Sequence, residues 1–119
     1  MAIGAALLAK STTPTGKGID VAVIDTGITP VSPLSEPDKV VAVVDLSGEA
    51  ALPEARYLDT YGHGTHIAGI IAGRTPGADP ADADEHPEWF MGVAPGAGLV
   101  SVKVADNTGA KEILCIRVL

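Results

Sequence analysis

Three runs of apolar residues, each about the length of one strand, constrain the fold of this chain more than anything else in it. The first is Ile19-Asp20-Val21-Ala22-Val23-Ile24-Asp25, the second Lys39-Val40-Val41-Ala42-Val43-Val44-Asp45, and the third Gly98-Leu99-Val100-Ser101-Val102-Lys103-Val104. The apolar residues fall on both alternating faces, which suits strands buried between two layers rather than strands with one wet face. Between the second and third runs, a helix is expected from the Thr60–His63 region to about Ala72. Ile67, Ile70 and Ile71 fall on one helical face, and Gly64, Ala68 and Ala72 recur every fourth residue as a row of small side chains. Gly73 is a natural stop. Strand, strand, helix, strand is the opening of a parallel α/β sheet with a helix on its face.

The rest of the sequence sets bounds. At 119 residues there is room for one small domain, and with aromatics at only 3% its core must be built from Val, Ile, Leu and Ala. A net charge of -7 argues against nucleic acid or an anionic membrane as partner. No apolar run is long enough to span a bilayer. The single cysteine, Cys115, excludes an internal disulfide and a cysteine-based metal cluster, and reads as a buried thiol. The short apolar stretch Ala5–Ala9 has no basic residue before it, so no signal peptide is recognisable. Residues 74–91 form a long acidic loop or insertion containing Asp79, Asp82, Asp84, Glu85 and Glu88. Their spacing matches no calcium loop, and a solvated charged loop is expected. His63 and His66 lack the intervening Glu of a zinc protease helix, so no zinc site is expected. After the third strand, Asp106-Asn107-Thr108-Gly109 reads as a turn, and residues 111–119 could begin a helix or a strand.

Two segments carry chemistry. One is Val21-Ala22-Val23-Ile24-Asp25-Thr26-Gly27; the other is Asp59-Thr60-Tyr61-Gly62-His63-Gly64-Thr65-His66-Ile67-Ala68-Gly69. In this order they resemble the Asp and His motifs of the subtilase family of serine proteases. Gly92-Val93-Ala94-Pro95, followed by the strand that ends Val102-Lys103-Val104, resembles the stretch after that family's His helix. The resemblance runs from about Gly16 to Gly109. It identifies residues 1–119 as the N-terminal portion of a subtilase catalytic domain, a partial subtilisin-like α/β parallel sheet that stops before the later strands. It also implies a strand order in which the first strand lies beside the third and the second outside the third.

The chemistry agrees with the resemblance. A serine nucleophile needs a base to take its proton, and the base needs a carboxylate to hold its tautomer. Asp25, at the carboxyl end of a buried strand, is the expected orienting carboxylate. His63, flanked by Gly62 and Gly64, is the expected base. His66, one turn on, is expected to be a packed structural histidine. The third member is missing: none of the five serines, Ser11, Ser32, Ser35, Ser47 and Ser101, stands in the family's Gly-Thr-Ser context. The family's oxyanion-hole Asn is missing too. The chain alone is therefore expected to be inactive, as part of an endopeptidase that hydrolyses peptide bonds with an Asp-His-Ser triad.

By resemblance the intact enzyme would act on polypeptides outside the cell. No cofactor is expected in this chain, while the resemblance leaves calcium possible in the intact family member. The family's Asp strand also has a later strand on its far side. Without that strand, the edge bearing Val21, Val23 and Ile24 invites self-association. Two other readings compete. Apolar-apolar-Asp-Thr-Gly also occurs at the active-site turn of aspartic proteases, but that fold is all-β and has no place for the His helix. A non-catalytic interaction module derived from a subtilase is the alternative that keeps the helix.

Overall fold

The computed structural model describes residues 14–104. The expectations for Cys115, the 106–109 turn and residues 111–119 lie outside them. Three strands form, β1 (Asp20–Asp25), β2 (Val40–Asp45) and β3 (Gly98–Lys103), with one α-helix, α1 (His63–Ala72), between β2 and β3. The sheet has the order β1-β3-β2, and both pairings are parallel. The chain is thus an α/β unit, as expected, and an all-β aspartic protease is ruled out. The register brings Asp25, Lys103 and Asp45 level with one another, so all three strands finish along one carboxyl edge.

The helix packs through its small residues. Gly64, Ala68 and Ala72 are its buried positions, one per turn. A row without bulk lets the backbone of α1 come close to the sheet, and Val23 and Leu99 fill the space that larger helix side chains would take. These two residues join Ile28, Leu34, Ala68, Ala72 and Ala97 in a core of aliphatic side chains. Ile67 and Ile71 pack against its margin, while Ile70 faces outward. Ile70 therefore does not share the buried face expected of it. The 64-68-72 row defines that face, and residue 70 projects from nearly the opposite side of the helix.

The second strand departs from expectation. Its apolar run resembles that of β1, yet Val41, Val43 and Val44 are all exposed. The reason lies in the topology. The helix packs chiefly on β1 and β3, the first two strands in the order, and β2 is the outer strand beyond β3. The loop at 74–91 is closed at its base. Arg74 and Met91 form an antiparallel bridge, and Thr75 N donates to Phe90 O at 3.0 Å. Within it are a 3-10 turn at Pro80–Glu85 and a stack of the His86 and Trp89 rings with centroids 3.8 Å apart.

Two lysines at the ends of the strand runs are buried, contrary to the usual exposure of that residue type. Lys39 is 0% exposed, and its Nζ donates to the carbonyls of Pro95 at 2.9 Å and Ala97 at 2.8 Å. Burial, reinforced by the nearby Arg74 charge, lowers its pKa. Lys103, 2% exposed, closes β3. Its ammonium donates to Ala55 O at 3.0 Å and Leu58 O at 2.6 Å, and it pairs with Glu49 at 3.1 Å. The irregular segment after β2 is thereby tied to the carboxyl edge of the sheet. Lys103→Met removes all three donors, leaving Ala55 O with only the Leu58 N–H and taking the ammonium from Leu58 O. At about 1–3 kcal/mol for an unsatisfied buried group, a loss of about 1–3 kcal/mol is expected in urea unfolding. A midpoint equal to that of the parent chain would show that the tie contributes nothing.

Candidate active site

The site sits where β1 ends and α1 begins. Asp25 is the last residue of β1 and His63 the first of α1. His63 Nδ1 lies 2.9 Å from Asp25 Oδ2 and 3.0 Å from Oδ1. An ionised carboxylate can only accept, so Nδ1 is the donor, and in the neutral ring this leaves the Nε2 lone pair free. The carboxylate is largely shielded, with its side chain 18% exposed, whereas the imidazole is 63% exposed. The buried partner is held fast, and the side of the ring that could exchange a proton with a substrate stays open. Thr26 N also donates to Asp25 Oδ1, at 2.7 Å, and helps fix the carboxylate.

The two elements meet almost backbone to backbone. A Cβ on Gly64 would strike the carbonyl oxygen of Gly27 and come within 3.1 Å of the backbone nitrogens of Gly27 and Thr26. Glycine at this position allows His63 to reach Asp25. Gly62, which precedes the helix, has a φ of 97°, in the left-handed region where glycine is favoured.

The first-turn N–H groups of α1 have no partners within the helix. Side chains from outside the helix supply them. Thr26 Oγ1 accepts from Gly64 N at 2.8 Å, and Asp59 Oδ2 accepts from Thr65 N at 2.8 Å and from Thr65 Oγ1 at 2.6 Å. The other oxygen of Asp59 accepts from Thr26 Oγ1 at 2.7 Å, Tyr61 N at 2.9 Å and Gly62 N at 2.7 Å. Burial alone would raise the pKa of Asp59. The bonds from Thr65, Gly62 and Thr26 outweigh it and hold the pKa at about 2. Asp59 was not among the expected site residues, although its place four residues before His63, next to a helix start, is a usable signal.

His66 does not match its expectation. It is exposed, on the outer side of α1. With Val31, Leu34, Ile70 and Phe90 it lines an open apolar hollow of about 610 Å³. Among the described residues, no three His, Cys, Asp or Glu side chains converge as a metal site would require. No described helix is long and apolar enough to cross a membrane.

Comparison with known proteins places the arrangement in context. Residues 16–117 match the family model of the subtilase family. Serine protease AprX of Bacillus subtilis is 37% identical over 98 residues, 82% of this chain and 19% of that protein. Subtilisin E of the same species is 39% identical over 100 residues, 82% of this chain and 22% of that protein. Its minor extracellular protease Epr is 36% identical over 99 residues, 83% of this chain and 13% of that protein. The chain thus spans about a fifth or less of the length of these relatives.

The Asp59 carboxylate makes stability depend on pH. Its folded pKa of about 2 lies below the ordinary 3.8. The stabilisation is therefore complete above pH 3.8 and is lost as pH falls through about 2. It amounts to roughly 2 kcal/mol. Unfolding followed by circular dichroism between pH 5 and pH 2 should show this loss in the parent chain. The slope should be shallower in Asp59→Asn; identical slopes would sink the assignment.

Proposed function

Because this chain belongs to the subtilase family, we propose that it supplies the acid–base half of a serine endopeptidase. Asp25 is the orienting carboxylate and His63 the general base. The observation that carries this is the contact of His63 Nδ1 with both oxygens of a shielded Asp25, which leaves Nε2 open.

In the reaction, a serine Oγ attacks the carbonyl carbon of a peptide bond while His63 Nε2 takes the hydroxyl proton. Asp25 stabilises the imidazolium that forms. The imidazolium then gives its proton to the leaving amine, and the acyl-enzyme is hydrolysed by water through the same base. The serine that attacks is not among those of this chain. Ser101 is buried within β3, and Ser47 is engaged with Asp45. The substrate is a polypeptide. An extracellular setting is supported by the likeness to the minor extracellular protease Epr. The strand edge of β1 opposite β3 carries the self-association of the isolated chain, so its sedimentation coefficient should rise with concentration.

Two measurements test this. A fluorophosphonate probe should leave the isolated chain unlabelled at all five serines; stoichiometric labelling overturns the missing nucleophile. Exchanging the matched segment into Subtilisin E should give an active chimera, with activity dependent on both residues. The losses established for subtilisin's own triad set the expected size, roughly 10⁶-fold in turnover for His63→Ala and roughly 10⁴-fold for Asp25→Ala. A chimera that hydrolyses peptides equally well without His63 would refute its role as the base.

A further inference from the structure

The contact between Asp25 and His63 joins the end of a strand to the start of a helix, and neither residue's own backbone holds the other in place. Thr26 connects the two. Its backbone N–H donates to Asp25 Oδ1 at 2.7 Å, and its hydroxyl oxygen accepts from the N–H of Gly64, the residue after His63, at 2.8 Å. A hydroxyl has one proton, and the direction in which it points decides whether the oxygen can serve Gly64. Asp59 Oδ1 takes that proton at 2.7 Å, and a carboxylate can only accept. The lone pairs of Thr26 Oγ1 are thereby left for Gly64 N. The same carboxylate binds the N–H groups of Tyr61, Gly62 and Thr65, which frame His63 on both sides. Thr26 itself is buried, so no bulk water substitutes for either partner.

We propose that Asp59 is a positioning residue which, through the Thr26 hydroxyl, sets the register of His63 against Asp25 and so holds the imidazole in its Nδ1–H tautomer. The role rests on the proposed catalytic pair, but its failure can be told apart from failure of that pair. Asp59 touches neither a substrate nor the ring. It acts by holding the helix start at a fixed place on the strand end.

The test is ¹⁵N NMR of the His63 ring in the full 119-residue chain. In the parent, the ring should show the Nδ1–H tautomer, with an Nδ1 proton slow enough in exchange to be seen. Thr26→Ser keeps the hydroxyl and should keep that signature. Thr26→Val, of similar shape but without the hydroxyl, and Asp59→Asn, with a single carbonyl oxygen in place of two, should lose the Nδ1 proton signal and shift the ring towards Nε2–H. The amide spectrum of β1 and β3 should meanwhile stay dispersed.

If the parent ring is already in the Nε2–H form, the catalytic pair itself fails. If the parent shows the pair and both Thr26→Val and Asp59→Asn retain it, the pair stands and the positioning role is overturned. Should either variant unfold, hydrogen exchange in the parent decides the matter. Gly64 N–H should be protected well beyond the amides of a frayed helix end, and exchange at the unprotected rate overturns the proposal.

Discussion

A helix can begin hard against the end of a strand only if its unpaired first-turn N–H groups find acceptors outside the helix. Here they come from Thr26, the first residue after β1, and from Asp59, in the approach to α1. That exchange of hydrogen bonds is the joint on which the rest of the molecule turns. It forces glycine at position 64, since any Cβ there meets the Gly27 backbone. It sets the small-residue row of Gly64, Ala68 and Ala72 against the sheet. It also leaves His63 as the first side chain that can reach over the strand end to Asp25. Fold and candidate chemistry share one set of contacts, so a change to either is felt by the other.

The carboxyl edge of the sheet is stiffened from below by charge that is buried and well paired. Lys103 lies level with both Asp25 and Asp45, and its ammonium holds the carbonyls of Ala55 and Leu58. The segment it holds leads directly into Asp59. Asp45 accepts from Ser47 N and Oγ and from Tyr57 N, and fixes the same segment from the β2 side. A buried ammonium is costly unless its donors are met. Meeting them with backbone carbonyls of an irregular stretch turns that cost into a fixed path for the chain.

The strands were legible because apolar runs of this kind have little else to do, and their observed limits lie within a residue or two of those expected. That the sheet is parallel follows from the pattern of elements, whereas its order, with β1 beside β3, rests on the family resemblance. The pairing of Asp25 with His63 was legible because the two motifs occur in order with matching flanks. Burial was less legible. Val41, Val43 and Val44 look like core residues in sequence but are exposed, because coverage depends on which strands the helix crosses. Lys39 and Lys103 look like surface residues and are buried, because their partners are carbonyls 45 to 58 positions away along the chain, which no local pattern records. The outward direction of His66 is hard to read from sequence for a related reason. One residue separates it from the Gly64 and Ala68 positions on either side, and on a helix that step is enough to turn a side chain outward.

The clasp at the base of the 74–91 loop has a consequence of its own. Arg74 and Met91 pair, Gly92 N returns to Gly73 O, and Phe90 N donates to Thr75 Oγ1, so the chain leaves and re-enters the fold at nearly one point. Beyond the clasp the loop meets the rest of the fold away from the start of α1: Gly77 N donates to Glu36, and Pro80, Ala81, Ala83 and Asp84 share a hollow with Pro14, Thr15 and Pro95. Closing a loop costs free energy that grows only with the logarithm of its length, about 0.6 kcal/mol for each doubling. Added length at the tip around Pro80–Glu85 therefore costs little in closure, and an engineer could splice in a foreign peptide there without disturbing the start of the His helix, provided the residues that face the body are kept.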